Sequence, residues 1–382
     1  MNNKGLLSLA LGTFALGISE FAMMGMLGAL AHDLGITIPQ AGHLISAYAA
    51  GVCCGAPALL FARRMDLKNL MLLLAALITA GNLMAALAPG YWWLMGARFI
   101  SGLPHGGFFG VGAIVARKLA AQGRGASAVA VMIAGMTVAT VVGVPAATFV
   151  TDTLSWRPVF AGVAVAGAAT FMAMDRWIPR VSGLEDRGFR GQFRFLRTLP
   201  PWLIFGGVLL GQTGIYCWYS YIDPLLLHVS GFPAESLPTL MAIAGLGMFT
   251  GNLVAGRLGD RYKPSFVAAW VQLAAIPVLV AFFFLAPYKV PAAVLLFLGT
   301  FVLFGSGSPL QSDIVGYSRG GEMLGAACIQ VAYNAGNAMA AWIGGQVIAM
   351  GCGYTAPAVA GCPLVVCGCV LLFILYRRYE RE

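Results

Sequence analysis

A chain of 382 residues that is 59% hydrophobic and only 10% charged, with a mean hydropathy of +0.83, cannot cover a water-facing surface, since soluble domains carry about 25% charged residues. That excludes a soluble globular fold and makes lipid the solvent for most of the chain. The net charge of +9 would suit a nucleic-acid partner, but its distribution along the chain points to membrane topology, and no nucleic acid is needed to explain it.

The elements follow in chain order. The first apolar run starts after Lys4 and reaches about Ala31. It is too long for a signal-peptide core and contains Glu20, so a retained first span is expected. A span needs about 20 mostly apolar residues. Breaks at charges, Pro and Gly give twelve candidates, roughly 6–31, 41–62, 68–88, 92–117, 126–150, 157–178, 200–227, 236–258, 264–286, 291–316, 322–350 and 356–376. With the N-terminus inside, 20 of the 23 basic residues fall in inside segments, Arg98 lies within a span, and only Arg157 and Lys289 fall outside. One span more or fewer midway would scramble this alternation. The fifty glycines fit helices that approach closely within a bilayer.

The longest hydrophilic stretch, 179–199, holds Glu185, Asp186 and five arginines on the inside. It divides the chain into a first half, 1–178, a cytoplasmic linker, 179–199, and a second half, 200–382. Two internal echoes support duplication: Gly51-x3-Gly55 before Arg63-Arg64 matches Gly247-x3-Gly251 before Asp260-Arg261, and Gly135-x7-Gly143 matches Gly336-x7-Gly344. Two six-span halves joined by a basic inner loop describe the major facilitator architecture.

Several motifs now carry a family resemblance. Gly256-Arg-Leu-Gly-Asp260-Arg261 resembles the inner-loop motif of major facilitator transporters. Arg98-Phe-Ile-Ser-Gly102 resembles their buried-arginine motif, and Gly135-x7-Gly143-Val-Pro145 their span-five antiporter motif. At finer grain, Ile18-Ser-Glu20-Phe21, Gly42-His43-Leu-Ile-Ser46, the run from Pro104-His105 to Gly112, and Trp202-Leu-Ile-Phe205 resemble the arabinose efflux permeases among the drug:proton antiporter-type exporters. The resemblance covers nearly the whole chain. It implies an all-α membrane protein of the major facilitator fold, with twelve transmembrane helices in two pseudo-symmetric six-helix halves, that exports solute against protons. It does not fix arabinose as the substrate. The first half departs from the inner-loop motif: Leu60 stands where the motif has Gly, and Arg64 where it has Asp.

Glu20 lies about 14 residues, or about 21 Å, into the first span. A carboxylate there is costly and should face a cavity or the bundle interior, as a proton carrier or as a structural acid between helices. Arg98 lies at a similar level in span four, where an ion pair or relay with Glu20 is allowed. His105 falls on the same face as Arg98 by helical spacing, as a titrating group or as a packed hydrogen-bonder. Span seven carries Gln212, Tyr216, Tyr219 and Asp223 on one stripe. The stripe lines a substrate path or forms an aromatic belt, the belt reading suiting Trp218 and Tyr221 better. Asn334, Asn337, Thr137, Thr140 and Gln311 are further substrate-path candidates or interhelical hydrogen-bonders. Asp313 falls near the inner end of span ten. Asp260 and Arg261 are the gate candidates; Gly135, Gly143 and Pro145 form the antiporter motif.

No GxxxxGK[ST] phosphate loop occurs, and Gly245-x-Gly247 lies inside an apolar span with no strand before it. There is no HExxH, no GxSxG and no metal-ligand cluster. Neither an enzyme nor a bound cofactor or metal is expected. The eight cysteines form no CxxC pair and read as small buried residues, with a Cys352–Cys362 disulfide left open. The expectation is a monomeric secondary transporter in the bacterial inner membrane, both termini cytoplasmic. It would move a sugar or drug-like solute outward against protons, or take up a sugar or metabolite by symport. A membrane-embedded enzyme is the reading from a different class.

Overall fold

The computed structural model describes residues 3–59, 62, 65–120, 125–181, 193–319 and 321–380, and only the backbone at positions 56, 125–127, 130, 260, 322 and 323. These residues form helices and no strands, in twelve successive segments. Span 1 is Asn3–Phe21, a 3-10 turn Ala22–Gly25, and Leu27–Leu34. Span 2 is Ile38–Ala58 and span 3 Leu67–Ala86. Span 4 is Tyr91–Gly102 followed by Pro104–Leu119. Span 5 is Gly125–Val138, a π-helical turn Ala139–Gly143, and Val144–Thr153; span 6 is Arg157–Trp177. In the second half, span 7 is Leu199–Tyr219 with Ile222–His228, span 8 Leu237–Arg261 and span 9 Pro264–Leu285. Span 10 is Lys289–Gly305 with Gly307–Tyr317, span 11 Glu322–Ala349, and span 12 Ala356–Ala360, Cys362–Leu375 and a final π-helical turn Tyr376–Glu380. Nine of the helical stretches in the described residues are long and apolar enough to cross a membrane on length and composition alone. An even number of crossings brings both chain ends to one face, called here the terminus face.

The breaks fall at residues that weaken helices. Pro104 lacks an amide hydrogen and crowds the carbonyl one turn earlier, so span 4 divides at Leu103. Gly305-Ser-Gly307 divides span 10, and the turn in span 1 ends on Gly25. Gly35, at φ 62°, closes the last piece of span 1 in the left-handed conformation.

The internal echo seen in the sequence is a packing relationship. Gly51 and Gly55 of span 2 lie against the carbonyls of Phe99 and Leu103 in span 4, where any Cβ would collide. Gly247 and Gly251 of span 8 lie in the same way against the Phe297 and Phe301 carbonyls of span 10. The two halves meet along span 2 with span 11, and span 5 with span 8, while spans 3 and 6 and spans 9 and 12 pack together. Ser46 donates across the first seam to the Ala338 carbonyl at 3.0 Å.

The apolar core is divided unevenly. Near the terminus face each half has its own cluster, one around Leu9, Leu74, Phe108 and Met132, the other around Phe195, Ile204, Leu310 and Leu375. On the opposite side a single cluster joins both halves, packing Phe21, Met24 and Leu30 with Tyr219, Ile222, Leu226 and Met241. The halves are therefore closed together far from the termini and separated near them.

Trp218 and Tyr221 are fully buried, so neither belongs to an aromatic belt. Trp218 stacks on Phe282 with centroids 4.7 Å apart, and the Tyr221 hydroxyl donates to the Ala341 carbonyl of span 11 at 2.5 Å. Exposed aromatics near the helix ends include instead Trp92, Trp93 and Tyr288 on one side, and Trp202, Tyr262 and Trp270 on the other. All eight cysteines are free, so Cys352 and Cys362 do not pair.

Candidate functional site

The separation of the halves leaves a cavity of about 1150 Å³ that reaches from Glu20 to Arg117, Val315 and Gly321 at the terminus face. Spans 1, 4, 5, 7, 8, 10 and 11 line it; among the described residues spans 2, 3, 6, 9 and 12 do not. Among the residues singled out from sequence, Glu20, His105, Thr137, Thr140, Gln212, Tyr216, Gln311, Asn334 and Asn337 all face it. Thr140 satisfies itself locally, donating to the Thr137 carbonyl at 2.9 Å.

Glu20 sits at the inner end of the cavity, 6% exposed. Asn337 of the other half donates its Nδ2 to Glu20 Oε1 at 3.2 Å, and His105 Nε2 lies 3.8 Å from Oε2. His105 Nδ1 in turn is 3.0 Å from the Tyr48 hydroxyl. Arg98, fully buried, places its guanidinium 4.5 Å from the Tyr48 ring centroid and 5.6 Å from that of Phe160. Its Nη1 donates to the Ser19 carbonyl at 2.7 Å, while Nε has no hydrogen-bond partner. The direct Glu20–Arg98 ion pair that sequence allowed is thus not formed in this conformation. The two charges are connected through His105 and Tyr48 and through the adjacent residue Ser19.

The span-seven stripe divides where the helix stops at Tyr219. Gln212 and Tyr216 face the cavity, and Tyr216 lies beside Asn337. Tyr219 packs edge-on against Tyr216, centroids 6.0 Å apart, away from the cavity. Asp223 leaves the cavity altogether. Its Oδ2 accepts the Gly28 backbone N–H at 2.6 Å, in the first turn of the last helix of span 1, which has no side-chain cap of its own.

Gly135 lies against the Ala10 carbonyl and Thr13, and Gly143 against Ile18 and Phe14, so the antiporter-type motif seats span 1, the carrier of Glu20. Pro145 opens the helix that follows the π-helical turn. Arg261 is exposed, 5.6 Å over the Tyr262 ring; the Asp260 side chain, Leu60, Arg63 and Arg64, and the linker's 182–192 segment lie outside the described residues. Asp313 is buried near the terminus face, beside Glu380.

Sequence reasoning did not single out Tyr48, Tyr333, Gln330 or Asn252. Tyr333, Asn334 and Asn337 share one face of span 11, and the Tyr333 hydroxyl and both Asn Oδ1 atoms are buried without partners. Tyr333 and Gln330 were findable by that spacing from Asn334; Tyr48 carried no local signal.

The model of the Major Facilitator Superfamily matches residues 9–327. The chain is 41% identical over 380 residues, 99% of its length and 96% of the relative's, to AraJ of Escherichia coli (strain K12), which carries a provisional transporter name. It is 33% identical over 374 residues, 97% of its length and 95% of the relative's, to the inner membrane transport protein YdhP of Escherichia coli O157:H7. Among solved structures, the bacterial homolog of the human lysosomal transporter Spinster, inward-facing and unoccupied, aligns with a TM-score of 0.78 at 18% identity, covering 100% of this chain and 98% of that one. With twelve helices in two interlocking halves around a one-sided cavity, the chain belongs to the Major Facilitator Superfamily and is a multi-pass membrane transporter, not an enzyme.

Proposed function

We propose that the protein is a proton-coupled exporter of a small, uncharged organic solute, sugar or drug-like, working by alternating access. The observation that carries this reading is the placement of Glu20: a buried acid at the inner end of the cavity, held by Asn337 from the opposite half. A carboxyl group there meets solute, proton and the seam between halves at once, so its protonation can bias which side is open.

The lining supports an uncharged solute. Among the described residues, Glu20 and His105 at one end and Arg117 at the mouth are its only ionisable groups other than tyrosines. Between them, amides and hydroxyls (Gln212, Tyr216, Asn334 and Asn337, with Thr137, Thr140 and Gln311) are interleaved with Met132, Met136, Met248 and phenylalanines. Such a wall offers hydrogen bonds to hydroxyls or carbonyls and apolar faces to a ring. Efflux is favoured by the antiporter-type motif that seats span 1. In this reading Glu20, Arg98 and His105 carry the proton, and Asp260 with Arg261 works the gate on the terminus face. That face is cytoplasmic, as the basic-residue bias suggests, and the membrane is the inner one, as YdhP's name suggests. The working bodies are 1–178 and 200–382, joined by 179–199, within one monomer.

The test is transport in proteoliposomes under an imposed pH gradient, with a panel of sugars and neutral and cationic drugs. Solute moving against the proton is expected. Solute moving with the proton would turn the reading into symport, and transport indifferent to the gradient would remove the coupling.

A further inference from the structure

A second concave site lies on the terminus face, away from the transport cavity. It is a groove of about 880 Å³ between the start of span 7, the end of span 10 and the final turn of the chain. Three guanidiniums line it, from Arg194, Arg197 and Arg319, together with the rings of Tyr317 and Tyr379. Arg194 and Arg197 are the ends of a 3-10 turn, Arg194–Arg197. With three residues per turn, positions i and i+3 eclipse, so both side chains project from one edge. Phe195, buried in the second-half core, pins that turn. The Trp202 indole, itself half exposed, donates to the Leu196 carbonyl at 2.8 Å and fixes the turn against span 7.

Among the described residues no acid pairs with these three arginines. Of the acids described on the neighbouring elements, Asp313 and Glu380 are turned inward: both are buried, and Glu380 accepts from Ser265 at 2.5 Å. Among the described residues the groove is thus a concentrated positive site without a paired acid. Its rim is apolar, with Leu199 and Trp202 exposed beside it at the level where tryptophan marks the edge of a bilayer.

We infer that this groove binds the phosphodiester headgroup of an anionic glycerophospholipid. The arginines would take the phosphate oxygens through paired N–H donors, and the acyl chains would lie along Leu199 and Trp202. Three cations favour a two-phosphate headgroup of the cardiolipin type over a single phosphate. The consequence is structural: the bound lipid ties the end of the inter-half segment to spans 10 and 12, so the second half moves with its lipid as one body.

The test uses the full-length protein in detergent and native mass spectrometry, titrated with cardiolipin, phosphatidylglycerol, phosphatidylethanolamine, or inorganic phosphate and sn-glycerol 3-phosphate as headgroup-only competitors. Cardiolipin is expected to bind most tightly. Each arginine exchanged for glutamine should weaken it about fivefold, following the attraction of about 1 kcal/mol per basic residue at an anionic surface. R194Q/R197Q/R319Q should lose it, while R377Q/R378Q, off the groove, should keep it; should the triple variant fail to fold, R197Q and R319Q singly still give the fivefold steps. Unchanged binding in the groove variants, or an equal loss in R377Q/R378Q, overturns the site. Displacement of the lipid by millimolar phosphate or glycerol phosphate overturns the lipid assignment in favour of a free anion.

Discussion

Asp223 of the second half accepts the backbone N–H of Gly28 in the first half at 2.6 Å, so a carboxylate on span 7 caps a helix of span 1 across the closed side of the molecule. Its other oxygen has no hydrogen-bond partner, and the residue is 1% exposed. A carboxylate suits the positive end of a helix, and a charge-assisted hydrogen bond of this kind contributes about 1.5–3 kcal/mol. Separating the halves on this side must break it. Asp223→Ala should therefore shift the equilibrium towards opening away from the termini by about tenfold. Labelling of a Leu30→Cys probe by an impermeant maleimide, in a background with the native cysteines replaced, should rise accordingly. No rise would mean that the apolar cluster alone holds the closure.

Glu20→Gln should abolish pH-driven transport while leaving solute binding, and solute–solute exchange, largely intact. Glutamine keeps the hydrogen bond from Asn337 but can neither take up nor release a proton. Glu20→Asp should keep part of the activity, with a shorter reach towards Asn337 and His105. Proton movement triggered by solute in liposomes measures this directly. A glutamine variant that moved protons at the wild-type ratio would place the coupling elsewhere.

Tyr216 and Tyr219 should behave differently although they share a helix. Tyr216→Leu removes a cavity hydroxyl beside Asn337 and should weaken solute binding about tenfold, roughly the worth of one hydrogen bond at a dry site. Tyr219→Leu should cost thermal stability and leave affinity within about twofold, because its ring packs behind the lining. Calorimetric titration of both variants with a solute from the transport screen separates the two; equal losses of affinity would contradict the division of the stripe.

Arg98→Lys should lower the unfolding midpoint although the charge is conserved. The planar guanidinium lies over Tyr48 and against Phe160 while donating to Ser19, and an ammonium cannot reproduce that geometry. A loss of about 2 kcal/mol is expected. Thermal unfolding in detergent at one fixed lipid content checks it, and an unchanged midpoint would show the stacking to be incidental.

On the side away from the termini, Asp33 lies in an exposed last turn beyond the membrane-crossing stretch of the first span, and hydrogen bonds from Arg157, at 2.7 Å, and Trp156, at 2.8 Å, hold its carboxyl below the ordinary value. A carboxyl whose folded value is depressed contributes stability that is fully present above its unfolded value, about 3.9, and lost as the pH falls through the folded one. Asp33→Asn should thus lower the unfolding midpoint slightly at pH 7, and the difference from wild type should begin to shrink below about pH 4 and vanish only once the pH has fallen past the depressed folded value. A difference that persisted at low pH would assign the effect to packing.

The spans were legible because membrane helices announce themselves by length and by the alternation of basic loops, and the twelve ranges read from sequence coincide with the observed segments to within a few residues. Glu20, His105, Asn334 and Asn337 were legible because a polar group inside an apolar run must face something other than lipid. The breaks were harder. Pro104, Gly25 and the glycines of span 10 mark theirs, but a stripe projected through the break at Ser220 carried Asp223 into the cavity on paper. Trp218 and Tyr221 read as interfacial because composition cannot tell an aromatic at the bilayer edge from one wedged between helices. Tyr48 was invisible because its role depends on His105 and Arg98, both on another span.

Spans 1, 4, 7 and 10, the leading member of each group of three, are all broken and all line the cavity; span 5, also in the lining, carries a π-helical turn, and span 12, outside it, divides at Gly361. Spans 3, 6 and 9 are uninterrupted and stand outside it. Jointed helices thus bear directly on the cavity, with stiff ones standing behind them. A jointed helix can close on a solute with its half nearest the termini while its other half stays locked in the shared core. Solutes of different girth could then be gripped by bending at a few backbone positions, without repacking the seam between the halves.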